Sequence, residues 1–170
     1  MCSIPFDASL TSGHRQRDHR AASNERYERF PHEWAAHMTS ERPLAGIHVL
    51  VIEDELVLAV EMVDKLEALG AVALGPITTV AKALRFIETA DRFDAALLNV
   101  MLCSELSFPV ADELRARGIP FVFVTGFDRD VRKRFPEVPV HPKPADMAAI
   151  VVTLAAVIAE NARRPPPAGG

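Results

Sequence analysis

Five residues of this chain carry groups that could do chemistry, and each follows an apolar run. Glu53 and Asp54 follow residues 47–52, Asn99 follows Ala95-Ala96-Leu97-Leu98, Thr125 follows residues 121–124, and Lys143 comes soon after residues 138–140. Carboxylate oxygens suit a hard divalent cation, while a hydroxyl or an ammonium binds anionic oxygens. A carboxamide has no anionic oxygen, so Asn99 cannot act as a carboxylate nucleophile. A lone acidic pair or a lone Lys-Pro would mean little. Four such positions in this order within 91 residues are a specific pattern.

The elements that must position these groups alternate with a regular beat. Residues 47–52 form a continuous β-branched run, as a parallel strand buried on both faces requires. Residues 55–69 place Leu56, Ala59, Val63 and Leu66 on one helical stripe, with Gly70 as the C-terminal cap. Residues 72–74 read as a short strand that Gly75-Pro76 turns, and Thr78-Thr79 caps a helix running to about residue 90. Residues 95–98 are the third strand and 101–106 a loop. Ser107, with Pro109 in the first turn, starts a third helix that Gly118 stops. Residues 121–124 are the fourth strand, 128–135 a short charged helix, and 138–140 the fifth strand. Residues 145–159 form a last helix with Met147, Ile150, Leu154 and Val157 inward. Five such units predict an α/β fold, a five-stranded parallel sheet doubly wound by five helices through right-handed crossovers. Ligands of such sheets sit at the carboxyl ends of the strands, where all five marked residues fall.

At 170 residues the chain has room for one ordinary domain with tails. Its 49% hydrophobic and 25% charged residues place it among globular proteins and not among disordered ones. The formal net charge of -4 is unevenly spread. Residues 1–43 hold six Arg against six acidic residues, whereas 44–161 hold eleven basic against seventeen acidic. An acidic folded part repels phosphate backbones, which argues against nucleic-acid binding unless Arg129, Arg132, Lys133 and Arg134 act alone. The two cysteines, Cys2 and Cys103, lack the spacing of a disulfide framework or a zinc site, which favours a reducing cytoplasm. The sequence has neither a secretory apolar segment nor a membrane span.

Residues 1–43 are polar and without sustained period, and disorder is the expectation, although 25–38 could form a short helix carrying Tyr27, Phe30 and Trp34. Met38 is a second candidate for the natural start. His14, His19, His32 and His37 read as solvated tail residues, since no cysteine accompanies them and the last two are badly offset for one helical face. Residues 162–170 are a Pro/Gly tail that cannot continue a helix. The folded unit is therefore 44–161.

With these motifs the chain resembles a response-regulator receiver domain. Ser-Phe-Pro-Val-Ala-Asp at 107–112 and Gly-Ile-Pro-Phe-Val-Phe-Val-Thr-Gly at 118–126 look like the stand-alone receivers common in alphaproteobacteria. The likeness covers about residues 45–160. It implies that Glu53 and Asp54 match the acidic pair that holds magnesium, and that Thr125 matches the hydroxyl that binds a transferred phosphoryl oxygen. Lys143 matches the neutralising cation, followed by a proline whose bond in the family is typically cis. The family expects an aspartate at 99, both metal ligand and phosphoryl acceptor, and Asn99 departs from that. Val140 stands where an aromatic switch residue is usual, and Met101 where only the backbone carbonyl serves the metal.

The expectation is an atypical receiver, a pseudo-receiver in two-component phosphorelay signalling. It would be no enzyme, bind magnesium weakly at best, and dock on a histidine kinase or another phosphorelay protein without accepting phosphate at 99. The alternative is residual phosphoryl acceptance on Glu53, Asp54, Asp94 or Ser104. Blander roles stay open: Glu53, Asp54 and Lys143 as an ion network, Thr125 as a helix cap, Asn99 as a turn residue. Phe86, Phe93, Phe121 and Phe123 are expected in the core, with Phe108 and Phe127 beside the pocket. A flavin or nucleotide site has no Gly-rich loop to support it.

Overall fold

The computed structural model describes residues 42–126 and 128–163. The readings for the N-terminal 41 residues, for Phe127 and for 164–170 lie outside the described residues. The strands β1 (His48–Ile52), β2 (Val72–Ile77), β3 (Ala95–Leu98), β6 (Phe121–Thr125) and β7 (Val140–Pro142) form one sheet in the order β2-β1-β3-β6-β7. Every pairing in it is parallel. Strand order reverses beside β1 and β3, and the crevice at their carboxyl ends is where such sheets bind ligands.

Alternation along β1 divides the interior into two cores. Leu50 and Ile52 face α2 (Val80–Thr89), α3 (Phe108–Ala116) and α4 (Asp128–Arg134), whereas Val49 and Val51 face α1 (Leu56–Ala68) and α5 (Met147–Arg163). β3 is buried at all four positions, which is why it reads as an unbroken apolar run. On the first face Phe121, Phe123 and Phe135 pack ring against ring, Phe108 joins them at 5.7 Å from Phe135, and Arg115 and Arg134 lie over Phe135. Phe86 and Phe93 sit at the rim of that core, partly buried. Among the described residues no helix is long and apolar enough to cross a membrane.

The structure moves several predicted boundaries. β2 does not turn at Gly75-Pro76 but continues to Ile77, with a register shift opposite Leu50–Ile52. An edge strand tolerates the missing N–H of Pro76, and Gly75 supplies a φ of 112°. β7 starts at Val140, not Val138, because the Val138 N–H is spent on the Phe135 carbonyl in the turn after α4. α5 starts at Met147, where Asp146 accepts from the Ala149 N–H as a cap, and it runs on to Arg163. Residues 101–106 are an antiparallel ribbon, β4 (Met101–Leu102) and β5 (Glu105–Leu106). Cys103 and Ser104 form its turn with φ of 48° and 73°, the positive values that a two-residue hairpin needs. Leu56 belongs to no buried stripe. It is 69% exposed, because the buried face of α1 runs through Ala59, Met62 and Leu66, and Leu56 lies to one side of it.

Candidate functional site

Register brings the marked residues to one rim. Ile52 pairs with Leu98, so Glu53 and Asn99 leave adjacent strands side by side, and the Asn99 N–H donates to the Ile52 carbonyl at 2.9 Å. Thr125 ends β6 opposite Pro142, so that the Lys143 N–H reaches the Thr125 carbonyl at 3.1 Å. The Lys143–Pro144 bond is cis. Glu53, Asn99 and Thr125 are buried, and Asp54 and Lys143 lie at the mouth.

At the centre is the Asn99 carboxamide. Its Nδ2 lies 2.8 Å from Glu53 Oε1, 2.8 Å from the Met101 carbonyl and 3.2 Å from Asp54 Oδ1. Its Oδ1 accepts from the Met101 N–H at 3.4 Å. Three acceptors converge on one end of the amide, so that end must be the NH2 group. Asp54 turns its second oxygen to the Cys103 N–H at 2.8 Å, which ties the β4–β5 ribbon to the pocket. Glu53 Oε1 also accepts from the Glu55 N–H at 3.1 Å.

Glu53 Oε2 is buried and makes no directed hydrogen bond, but the Lys143 ammonium stands 2.9 Å away as its counter-ion. Lys143 also reaches Glu55 at 3.5 Å. Burial raises the Glu53 pKa above the usual carboxylate range. Lys143, the Glu55 N–H and the Asn99 amide pull it back without cancelling the desolvation.

Two residues enter the site without a signal in the sequence for that role. Ser107 reads as the cap of α3, but its side chain makes no cap bond. Fully buried, it donates instead to the Asn99 carbonyl at 2.6 Å. Glu55 enters through its backbone and as the second carboxylate on Lys143. Asp94, in contrast, is not near the pocket. It precedes β3 at the amino end of the sheet, accepts from the His48 N–H and pairs with Arg92, so it drops out as an acceptor there. Ser104 lies exposed in the ribbon turn, and Val140 is half-buried against the aromatic core.

A magnesium ion here would draw on Glu53, Asp54 and the Met101 carbonyl. As arranged, these residues do not fit one, because the Asn99 NH2 group faces all three and donates to them. Among the described residues no group of three or more His, Cys, Asp or Glu comes together to hold a metal.

No family model and no curated protein matches the chain. Solved structures do. The solution structure of SdrG from Sphingomonas melonis Fr1 is 41% identical, with a TM-score of 0.59 over 67% of this chain and 97% of that one. A response regulator receiver protein from Sinorhizobium medicae WSM419 matches at 17% identity and a TM-score of 0.63, over 68% and 97%. The receiver domain of the sensor histidine kinase PA1611 from Pseudomonas aeruginosa PAO1, with a magnesium ion coordinated in its active site cleft, matches at 23% and 0.58, over 68% and 99%. The last two share the fold. The first adds an identity, over nearly its whole length, that fold alone does not produce, and the chain belongs to the response-regulator receiver family of two-component signalling.

Proposed function

We propose that this chain is a pseudo-receiver. It takes part in phosphorelay signalling by binding a histidine kinase or another phosphorelay protein, without phosphoryl transfer to position 99. The observation that carries this reading is the Asn99 carboxamide at the centre of the pocket, with its nitrogen towards Glu53, Asp54 and Met101. An amide in that place has no anionic oxygen to attack a phosphorus atom. Protein binding is supported by the rim beside it, where Leu56 and Val57 are 69% and 80% exposed at the start of α1. Both side chains are open for a partner to cover.

The test is exposure of the natural chain and of Asn99→Asp to a small phosphodonor and to the kinases of its host, followed by intact-mass measurement. Phosphate on the variant alone, with kinase binding retained by both, is the expected result. An acid-labile phosphate on the natural chain would overturn the proposal and move the acceptor to a carboxylate such as Asp54. An acid-stable one would point to a hydroxyl such as Ser104.

A further inference from the structure

We infer that the Asn99 carboxamide replaces the divalent cation structurally, closing the pocket to metal and holding its oxygen atoms in place without one. A cation in this crevice needs lone pairs from Glu53, Asp54 and the Met101 carbonyl to converge on one point. Nδ2 of Asn99 already stands where they converge, 2.8 to 3.2 Å from each.

The remaining oxygens are also engaged. Asp54 Oδ2 holds the Cys103 N–H at 2.8 Å, and Glu53 Oε2 faces Lys143 at 2.9 Å. All five oxygens of the three groups therefore face a proton donor or a cation. Turning the amide over would aim Oδ1 at three acceptors, take the amide donor away from all of them and leave Glu53 Oε1 with only the Glu55 N–H. A metal entering the pocket would have to displace the amide and gain in return two carboxylates and one carbonyl, without the third carboxylate that an aspartate at 99 would add.

Asp54 links this to the outer surface. One of its oxygens takes the Asn99 amide and the other takes the ribbon turn at Cys103, so the amide and the β4–β5 ribbon share one anchor. The pocket is thereby held in one arrangement that divalent cation concentration does not alter. The inference rests on the reading above only in taking position 99 as an amide in a receiver pocket, and needs no statement about phosphate.

The experiment is a magnesium titration of the full chain, followed by amide NMR and thermal unfolding, on the natural protein, Asn99→Ala and Asn99→Asp, with no phosphodonor present. The natural protein is expected to show no saturable shift at Asp54, Met101 or Cys103. Asn99→Ala, which has no nucleophile either, is expected to gain saturable shifts at those residues and a rise in Tm of a few degrees at roughly tenfold excess over Kd. Asn99→Asp is expected to respond most. A natural protein that responds like the alanine variant overturns the inference, as does an alanine variant as silent as the natural one while Asn99→Asp responds. Paramagnetic broadening by manganese on the natural chain needs no variant, and broadening confined to the pocket amides would overturn it too. None of these outcomes bears on phosphoryl acceptance, so the two readings fail separately.

Discussion

The Lys143 ammonium lies 2.9 Å from Glu53 Oε2, joining a side chain 21% exposed to one that is 1% exposed. Glu53 thus has one oxygen held by N–H donors and the other compensated only by charge. Lys143→Met should leave an uncompensated carboxylate in the pocket. The expected loss is about 2–3 kcal/mol, less than the ~3–5 of a fully buried pair, because water reaches the lysine end. Urea denaturation measures it, and adding Glu53→Gln should recover part of the loss. A Lys143→Met protein as stable as the natural one would show that Glu53 is already neutral.

Ser107 and Asn99 make a short contact at the site, a hydroxyl donating to a buried carbonyl at 2.6 Å. Ser107→Ala removes the donor without changing the backbone. A destabilisation of about 1–3 kcal/mol is expected, with chemical-shift changes that extend through Asn99 to Met101. Shifts limited to α3 would show that the bond does not position the site.

How far sequence reads this protein differs between its parts. The central strands were legible because burial on both faces makes them continuous apolar runs, and their ends carry the marked residues. Gly70 was legible as a cap because only a positive φ, here 91°, fits there. The β4–β5 ribbon was not, since its turn uses Cys103-Ser104 where Asn-Gly would have signalled it. Leu56 misled because apolar residues on α1 allow more than one stripe, and the face that packs runs through Ala59, Met62 and Leu66 with Leu56 to one side of it. Ser107 was read from a local cap rule, and a partner eight residues away won its hydroxyl. Asn99 was legible as an anomaly, while the direction of its amide needed coordinates.

Gly75 offers a test of the unexpected course of β2. A Cβ built there would stand 2.7 Å from the Val51 carbonyl oxygen and 3.0 Å from the Ile77 nitrogen, at a φ of 112°. Both neighbours are backbone and neither can rotate away. Gly75→Ala should cost about 2–4 kcal/mol, combining backbone strain with a displaced edge strand. Gly118, with φ of 66° and open space around it, is the control and should lose about 1 kcal/mol on the same change. Equal losses at the two positions would show that the close approach to Val51 is relieved at no cost.

His141 predicts how stability follows pH. It is half-buried in β7, and its Nε2 lies 2.9 Å from the Thr153 hydroxyl. That hydroxyl donates to the Ala149 carbonyl and therefore accepts from the ring. Burial lowers the His141 pKa, and Asp146 offsets this only in part. Below the ordinary histidine value of about 6.5 the unfolded chain takes up a proton that the folded chain refuses, so the contribution of His141 is complete above that pH. It is lost as pH falls towards the lowered folded pKa, with a slope of at most about 1.4 kcal/mol per pH unit. Glu53 works in the opposite sense. Its raised folded pKa means that the folded chain takes up its proton first, which adds stability as the solution is acidified. The measurement is therefore a difference, urea stability against pH for the natural chain and for His141→Gln. The natural chain should lose more stability than the variant on acidification from neutrality, and parallel curves would show that His141 is protonated equally in both states.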